Sequence, residues 1–221
     1  MNAILMIVTS HDAINAERKT GLWFEEFATP YRVFREHGLK VVVASLKGGA
    51  APIDPNSIPE DAAAWSEALT VLKTTVKLET VNPADFGAVF LPGGHGTMFD
   101  LPDEAVGRVV AQFADADKVV GAVCHGPAGL VGAIRANGQP VVAGKRMTGF
   151  TNAEESAANL TADMPFLLEN KLRELGAEFI PSPNWNSHVE VDGKLVTGQN
   201  PQSSLETALS VIRVLDMVTE G

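Results

Sequence analysis

The chain's only cysteine, Cys124, stands in a sequence context that is typical of a reactive thiol. It is followed directly by His125 in the stretch AVCHGP, residues 122–127. Small residues two positions before and two after it match the spacing of a nucleophile elbow, the sharp strand-to-helix turn that presents a reactive side chain. A thiol presented to solvent at a helix N-terminus is expected to ionise, because the helix end is partially positive. The alternative is a small buried core residue, as many free cysteines are.

A glycine-rich stretch, LPGGHGT at residues 91–97, offers partners for such a nucleophile. Glycines let the backbone approach a bound group closely and aim N–H donors at it. The amides of Gly94 and His125 are therefore predicted to form an oxyanion hole opposite the thiolate. A plain tight turn remains open as an alternative, and a phosphate cradle would lack the lysine and Ser/Thr of a P-loop. His95 is interpreted as a loop residue with structural hydrogen bonds.

Two adjacent acids, Glu25 and Glu26, stand among aromatic and aliphatic residues in the stretch GLWFEEF, residues 21–27. One interpretation is that they complement the dipole at the start of a helix. The other is a partly buried carboxylic acid with a raised pKa, able to share a proton with the thiol. The residues themselves leave both interpretations open.

These candidate residues need a scaffold, and the apolar pattern predicts an α/β fold. Continuous apolar runs, typical of strands buried on both faces, occupy residues 4–8, 41–44, 88–91 and 119–123. Helical periodicity separates them, which predicts a doubly wound, mostly parallel sheet with helices on both faces. Residues 189–196 predict a hairpin turning at Asp192-Gly193. A last helix is predicted with Asn200 as its N-cap, Pro201 first, and an apolar stripe of Leu205, Leu209, Ile212 and Leu215.

Length and charge limit the classes of function. The chain has 221 residues and a net charge of −10, which predicts a single domain over residues 1–221 and argues against nucleic acid or an anionic membrane as partner. The N-terminal residues have no basic region, and their apolar run is too short for a signal peptide or membrane span. One cysteine allows no intramolecular disulfide, which favours a reducing cytoplasm.

The motifs together resemble the ThiJ/PfpI superfamily, with its class I glutamine amidotransferase-like fold. The closest branch is that of the glutathione-independent glyoxalases (glyoxalase III) and heat-shock-type chaperones. The resemblance spans nearly the whole chain and rests on residues 20–30, 47–49, 54–55, 93–97, 122–127, 144–145, 148–151 and 196–201. It implies a flavodoxin-like fold, in agreement with the strand pattern.

The resemblance also implies roles for individual residues. Cys124 matches the nucleophile and His125 the histidine of a Cys-His-acid triad, with the acid following the stretch TGFT at residues 148–151. Glu155 fits that position better than Glu154, although capping of a helix start is the competing interpretation for both. Glu26 matches the glutamate that hydrogen-bonds the cysteine.

The implied reaction converts methylglyoxal or another 2-oxoaldehyde to a 2-hydroxy acid, D-lactate, through a hemithioacetal on Cys124. Alternatives are a protein deglycase, a stress-related holdase chaperone, a redox sensor and, less favoured, a cysteine peptidase or amidotransferase. The five histidines form no ligand cluster in the sequence, so we expect no metal, and no motif indicates an organic cofactor. The expected partners are a small aldehyde and a second copy of the chain in a homodimer.

Overall fold

A computed structural model describes residues 3–219, so residues 1–2 and 220–221 of the predicted domain lie outside the described part. Within residues 3–219, nine strands and seven α-helices follow one another. The strands are β1 (Ala3–Val8), β2 (Lys40–Ser45), β3 (Val76–Lys77), β4 (Ala88–Leu91), β5 (Val119–Val123), β6 (Arg146–Met147), β7 (Glu178–Phe179), β8 (Val189–Asp192) and β9 (Leu195–Gly198). The helices are α1 (Phe24–Glu36), α2 (Ser66–Val71), α3 (Thr97–Asp100), α4 (Glu104–Asp115), α5 (Asn152–Ala157), α6 (Leu168–Glu174) and α7 (Ser204–Thr219).

Seven strands form one sheet in the order β3-β2-β1-β4-β5-β9-β8. All neighbours are parallel except β8 and β9, which form the predicted antiparallel hairpin. Strands β6 and β7 make a separate two-stranded parallel sheet. Parallel strands need crossover connections, and the helices between them cover the sheet. The predicted doubly wound α/β fold is therefore confirmed.

The central strands form because they are apolar on both faces. Residues 4–8 of β1 and every residue of β4 and β5 are buried. A strand between two helical layers has no solvent side, so it reads as a continuous apolar run instead of an alternating one. The four apolar runs in the sequence coincide with β1, β2, β4 and β5, and the carboxyl ends of β4 and β5 lie side by side.

The helices are amphipathic and begin at recognisable signals. Helix α4 starts after Asp103, whose side chain accepts a hydrogen bond from the Ala105 amide, and it buries Val106, Val110 and Phe113 on one face. It packs on β4 and β5, while α1 and α7 pack against each other. Within residues 3–219, none of the helices combines the length and apolar character needed to cross a bilayer.

Two details of the last helix were predicted wrongly. Asn200 precedes a short 3₁₀ helix, Pro201–Ser203, and α7 begins only at Ser204. The Asn200 side chain makes no capping hydrogen bond because its amide donates to Glu154 and its oxygen accepts from Ser203. Leu205 is 52% exposed, and the buried face of α7 instead includes Ala208, Val211, Ile212 and Val214.

Candidate active site

The turn after β5 holds Cys124 in a strained backbone conformation. Its φ of 60° lies in the left-handed region, which is rare for a residue with a Cβ. Backbone hydrogen bonds hold the turn on both sides, from the Cys124 amide to Gly198 and from the Phe150 amide to the Cys124 carbonyl. Gly126 completes the turn, since a Cβ there would collide with the Leu91 carbonyl oxygen. The chain therefore makes the sharp turn that its small residues predict.

The predicted electrostatics of this turn are wrong. Cys124 is only 3% exposed, and the turn leads into a five-residue 3₁₀ helix, Gly126–Leu130, and not into an α-helix whose dipole would favour a thiolate. Burial raises the pKa of Cys124 well above its usual value. The thiol consequently holds its proton at rest and needs a nearby base to become a nucleophile.

His125 and Glu155 line up behind the thiol. The Cys124 Sγ lies 3.5 Å from His125 Nδ1, and His125 Nε2 lies 2.7 Å from a carboxylate oxygen of Glu155. Burial opposes ionisation of Glu155, but the charges and hydrogen bonds of His125 and His95 outweigh it and lower the pKa of Glu155 to about 2. Because an ionised carboxylate only accepts hydrogen bonds, His125 carries its proton on Nε2. Its Nδ1 lone pair is then free to face the thiol.

His95 is the site residue whose place the sequence interpretation missed. Its Nε2 lies 2.8 Å from the second carboxylate oxygen of Glu155, and its ring centroid lies 4.3 Å from that of His125. The sequence did contain a signal for this position. The loop that carries His95 follows β4, which pairs with β5, so the loop reaches the same edge of the sheet as the turn at Cys124.

Adjacent Glu154 and Glu155 have different surroundings. Glu154 is the reciprocal partner of Thr151 in a capping box at the start of α5. One of its carboxylate oxygens also accepts hydrogen bonds from the Trp185 amide and from the side chains of Gln199 and Asn200. Glu154 thus joins three segments of the chain, whereas Glu155 is the acid that reaches His125.

Of the two adjacent acids in α1, Glu26 lies next to the Cys124 thiol and Glu25 points away from it into solvent. The first turn of α1 buries Glu26 completely beside Cys124 and the Gly93 backbone, while Glu25 is exposed. Burial raises the pKa of Glu26 well above its usual value, and contacts with Cys124 and the Gly93 amide offset this only in part. Glu26 is therefore a neutral acid with a proton to donate toward the sulfur.

Gly94 and His125, whose amides are predicted to bind an oxyanion, both line the same cavity as Cys124. Within residues 3–219, neither the Gly94 nor the His125 N–H donates to a backbone carbonyl. Gly94 has a φ of 105°, and a Cβ there would collide with the Trp23 amide. Only glycine fits this backbone approach, so the loop conformation that directs the Gly94 amide depends on the residue type.

The thiol opens onto a small cavity of about 130 Å³ that is partly open to solvent. Its walls are mostly apolar and are formed by Trp23, Glu26, Gly94, His95, Cys124, His125, Phe150, Ala158, Trp185 and Pro201. In the described part of the chain, His95, His125 and Glu155 are close enough to share a metal ion, with ligand atoms within 4.8 Å of one another. The two hydrogen bonds to Glu155 already satisfy these groups, and the absence of a metal stays a prediction.

Comparison with known proteins places this chain in a family. The model of the DJ-1/PfpI family matches residues 20–214. The chain belongs to the DJ-1/PfpI family. Among its family relatives, Glyoxalase 3 of Candida albicans is 32% identical over 98% of this chain and 99% of its own length. A glutathione-independent glyoxalase of Saccharomyces cerevisiae is 31% identical over 96% of this chain and 97% of its own length.

Solved structures of DJ-1/PfpI relatives agree in fold. The crystal structure of glyoxalase III from C. albicans superposes with a TM-score of 0.89 at 31% identity, covering 96% of both chains. The Rapid Encystment Protein of 24 kDa from Francisella tularensis superposes with a TM-score of 0.92 at 36% identity, covering 97% of this chain and 99% of its own. The resemblance found in the sequence is confirmed.

Proposed function

We propose that this protein is a glutathione-independent glyoxalase that converts methylglyoxal to D-lactate. The observation that carries the proposal is the chain of contacts from Cys124 through His125 to Glu155, which ends at the wall of a small cavity. The full-length similarity to proteins named glutathione-independent glyoxalases supports the choice of reaction. A thiol, a base and an orienting acid are the groups that hemithioacetal chemistry on an aldehyde requires.

The size and character of the cavity favour a small 2-oxoaldehyde. At about 130 Å³ it is well below the range of about 300–1,000 Å³ that suits drug-sized ligands. A molecule of a few carbon and oxygen atoms fits beside Phe150 and Trp185, whose ring centroids lie 5.8 Å apart. An aldehyde bound there excludes water from the thiol, which strengthens every electrostatic interaction at the reacting carbon.

The first step is attack by sulfur on the aldehyde carbon. His125 Nδ1 takes the thiol proton as the carbon–sulfur bond forms, and the carbonyl electron pair moves to oxygen. The amides of Gly94 and His125 stabilise the oxyanion. Glu155 stabilises the imidazolium through Nε2, and return of the proton from Nδ1 to the oxyanion gives a neutral hemithioacetal.

The second step moves hydrogen between the two carbons. His125, neutral again, removes the hydrogen on the sulfur-bearing carbon while the neighbouring ketone oxygen gains a proton, which gives an enediol. Protonation of the second carbon and loss of a hydroxyl proton from the first give a thioester of lactate. One carbon is oxidised by two electrons and the other reduced by two, so no external oxidant or reductant is needed.

The last step releases the product. Water adds to the thioester carbonyl, the carbon–sulfur bond breaks, and lactate leaves. Glu26, buried and protonated, donates a hydrogen bond toward the departing sulfur and stabilises its negative charge. His125 activates the water and afterwards holds a proton that can return to the sulfur.

The proposal is tested by incubating purified protein with methylglyoxal in buffer free of glutathione. The lactate enantiomer formed is read with dehydrogenases specific for D- and L-lactate. Accumulation of D-lactate supports the proposal. Folded protein that forms no lactate contradicts it and returns attention to the deglycase and holdase alternatives. Assignment to the lactate-dehydratase class of lyases depends on this result.

The pH dependence of the reaction provides a separate prediction. Burial and then the charge of His95 lower the pKa of His125 below the usual 6.5. The base must be neutral, so activity is present above the lowered pKa and is lost as the pH falls through it. We expect kcat/KM to stay level as the pH decreases past 6.5 and to fall only at more acidic values. Kinetics across acidic and neutral pH, with circular dichroism to verify folding, check this. An acid limb at or above 6.5 would contradict it.

The cytoplasmic location, the homodimer and the protein deglycase and holdase activities stay predictions. The deglycase activity would use the same thiol and the same hemithioacetal step on an adducted side chain. A holdase would act through an exposed apolar surface and would not need the thiol.

A further inference from the structure

His95 and His125 hold the two oxygens of one carboxylate. Glu155 accepts a hydrogen bond of 2.8 Å from His95 Nε2 on one oxygen and one of 2.7 Å from His125 Nε2 on the other. The Glu155 side chain is 4% exposed and that of His95 is 12% exposed. Two ring N–H groups therefore share one buried negative charge, an arrangement that the reaction steps above do not use.

We propose that His95 is a positioning residue that fixes the Glu155 carboxylate and keeps His125 in the neutral form that can accept the Cys124 proton. The proposal rests on the proposed function in one respect, namely that it gives His125 the role of base. It assigns to the hydrogen bond between His95 and Glu155 two effects, one on the orientation of Glu155 and one on the protonation state of His125.

The physical reason is competition for one charge. A carboxylate that accepts a second hydrogen bond has less negative charge left to stabilise an imidazolium on the first donor. A protonated His95 also repels a proton on the ring of His125 only 4.3 Å away, centroid to centroid. Both effects act in the same direction and favour neutral His125.

The loop that carries His95 does not need this side chain to keep its conformation. Its backbone is held by hydrogen bonds from the Trp23 amide to the Gly93 carbonyl and from the Gly96 amide to the Gly21 carbonyl. The Thr97 hydroxyl adds hydrogen bonds inside the loop and to the elbow. The contact with Glu155 is therefore available for a task other than anchoring the loop.

Other titratable groups also bear on His125, and the experiment must separate them from His95. Within residues 3–219, the other ionisable side chains that act on His125 are Cys124, Glu154 and Glu155, and Glu26 of α1 lines the same cavity. Replacing His95 leaves all four in place. A change in the titration of His125 can then be assigned to the loss of His95.

The test uses two variants, His95→Leu and His95→Gln, and reads the titration of the His125 ring by ¹⁵N NMR in the absence of substrate. Glutamine places an amide N–H where the histidine has Nε2, so it keeps the hydrogen bond to Glu155, whereas leucine removes it. The five histidines of the chain make the spectrum assignable, with His125→Gln identifying the signal. If His95→Leu folds poorly, His95→Asn replaces it, because its shorter side chain does not reach Glu155.

We expect the pKa of His125 to rise by about one unit in His95→Leu, the effect of one charge-assisted hydrogen bond, and by less than half of that in His95→Gln. The acid limb of kcat/KM should move upward with it. The proposal is overturned when the pKa of His125 shifts in neither variant. It is also overturned when the pKa shifts equally in both variants, because the charge of His95 alone, and not its hydrogen bond, would then explain the effect. The ring titration needs no turnover, so it remains decisive even if the protein forms no lactate.

Discussion

Replacing Cys124 with serine is expected to reduce lactate formation from methylglyoxal by more than about 10⁴-fold, to the level of the uncatalysed reaction. Serine has nearly the same shape as cysteine, and the buried position is only 3% exposed, so the turn is expected to keep its conformation. A hydroxyl is a far weaker acid and a weaker nucleophile than a thiol, so His125 activates it much less effectively in a site arranged around sulfur. Lactate measured over hours with enantiomer-specific dehydrogenases checks the result.

The control for Cys124→Ser is chemical modification of the thiol in the protein that retains Cys124. Because the chain has one cysteine, iodoacetamide can add only one group to a thiol, and mass spectrometry counts it. Modified protein should be as inactive as the variant, and methylglyoxal should slow the modification because it occupies the same cavity. Lactate formation that survives both changes would show that sulfur is not the nucleophile.

Replacing Glu155 with glutamine is expected to lower kcat/KM by about 10³–10⁴-fold while the protein stays folded. The carboxamide can present an N–H where the carboxylate accepted the His125 proton. His125 then favours a proton on Nδ1 and turns a donor, instead of a lone pair, toward the thiol 3.5 Å away. Both charge stabilisation of the imidazolium and the correct tautomer are lost together. Steady-state kinetics and thermal unfolding check the two parts of this expectation.

Glu154→Gln is the matched control, since it makes the same chemical change one residue earlier. Glu154 accepts hydrogen bonds from the Thr151 amide, the Trp185 amide and the side chain of Asn200, and none of these three donor groups transfers a proton in the proposed reaction. We expect a lower melting temperature and a small effect on kcat/KM. If Glu154→Gln loses as much activity as Glu155→Gln, the proposed role of Glu155 as the orienting acid is wrong.

The fold could be predicted from the sequence because its central strands are apolar on both faces. The runs at residues 88–91 and 119–123 coincide with β4 and β5. The hairpin between β8 and β9 is also found, but Asp192 is the last residue of β8, so the chain turns at Gly193 and Lys194, one residue later than predicted. The short strands could not be predicted in this way. Val76–Lys77 has only two residues, which is too little for a period to be visible.

The last helix shows where periodicity misleads. Leu205, Leu209, Ile212 and Leu215 have helical spacing, yet Leu205 is exposed and the core side of α7 includes Ala208 and Val211. A helix rich in apolar and small residues has more than one candidate face, and the one that is buried depends on how closely it packs on the sheet. A Cβ on Gly121 of β5 would lie within 2.8 Å of Val211, so α7 approaches the sheet through small side chains.

The candidate site was predictable in its residue types but not in its electrostatics. The spacing around Cys124 and the resemblance to the family gave residues that the structure places together, including Glu26 and Glu155. The depth of the thiol was not visible, because burial depends on loops distant in the sequence, such as the one carrying Trp185. The expected thiolate at a helix end is therefore replaced by a protonated thiol facing a neutral imidazole.

The left-handed backbone of Cys124 lowers the stability of the fold at the position that carries the reactive thiol. With a φ of 60°, a residue with a Cβ costs about 1–2 kcal/mol relative to glycine. Glycine would adopt this backbone without strain, but it would carry no sulfur and would leave the buried space of the thiol empty. The turn therefore holds its reactive group in a backbone conformation that the fold alone would assign to glycine.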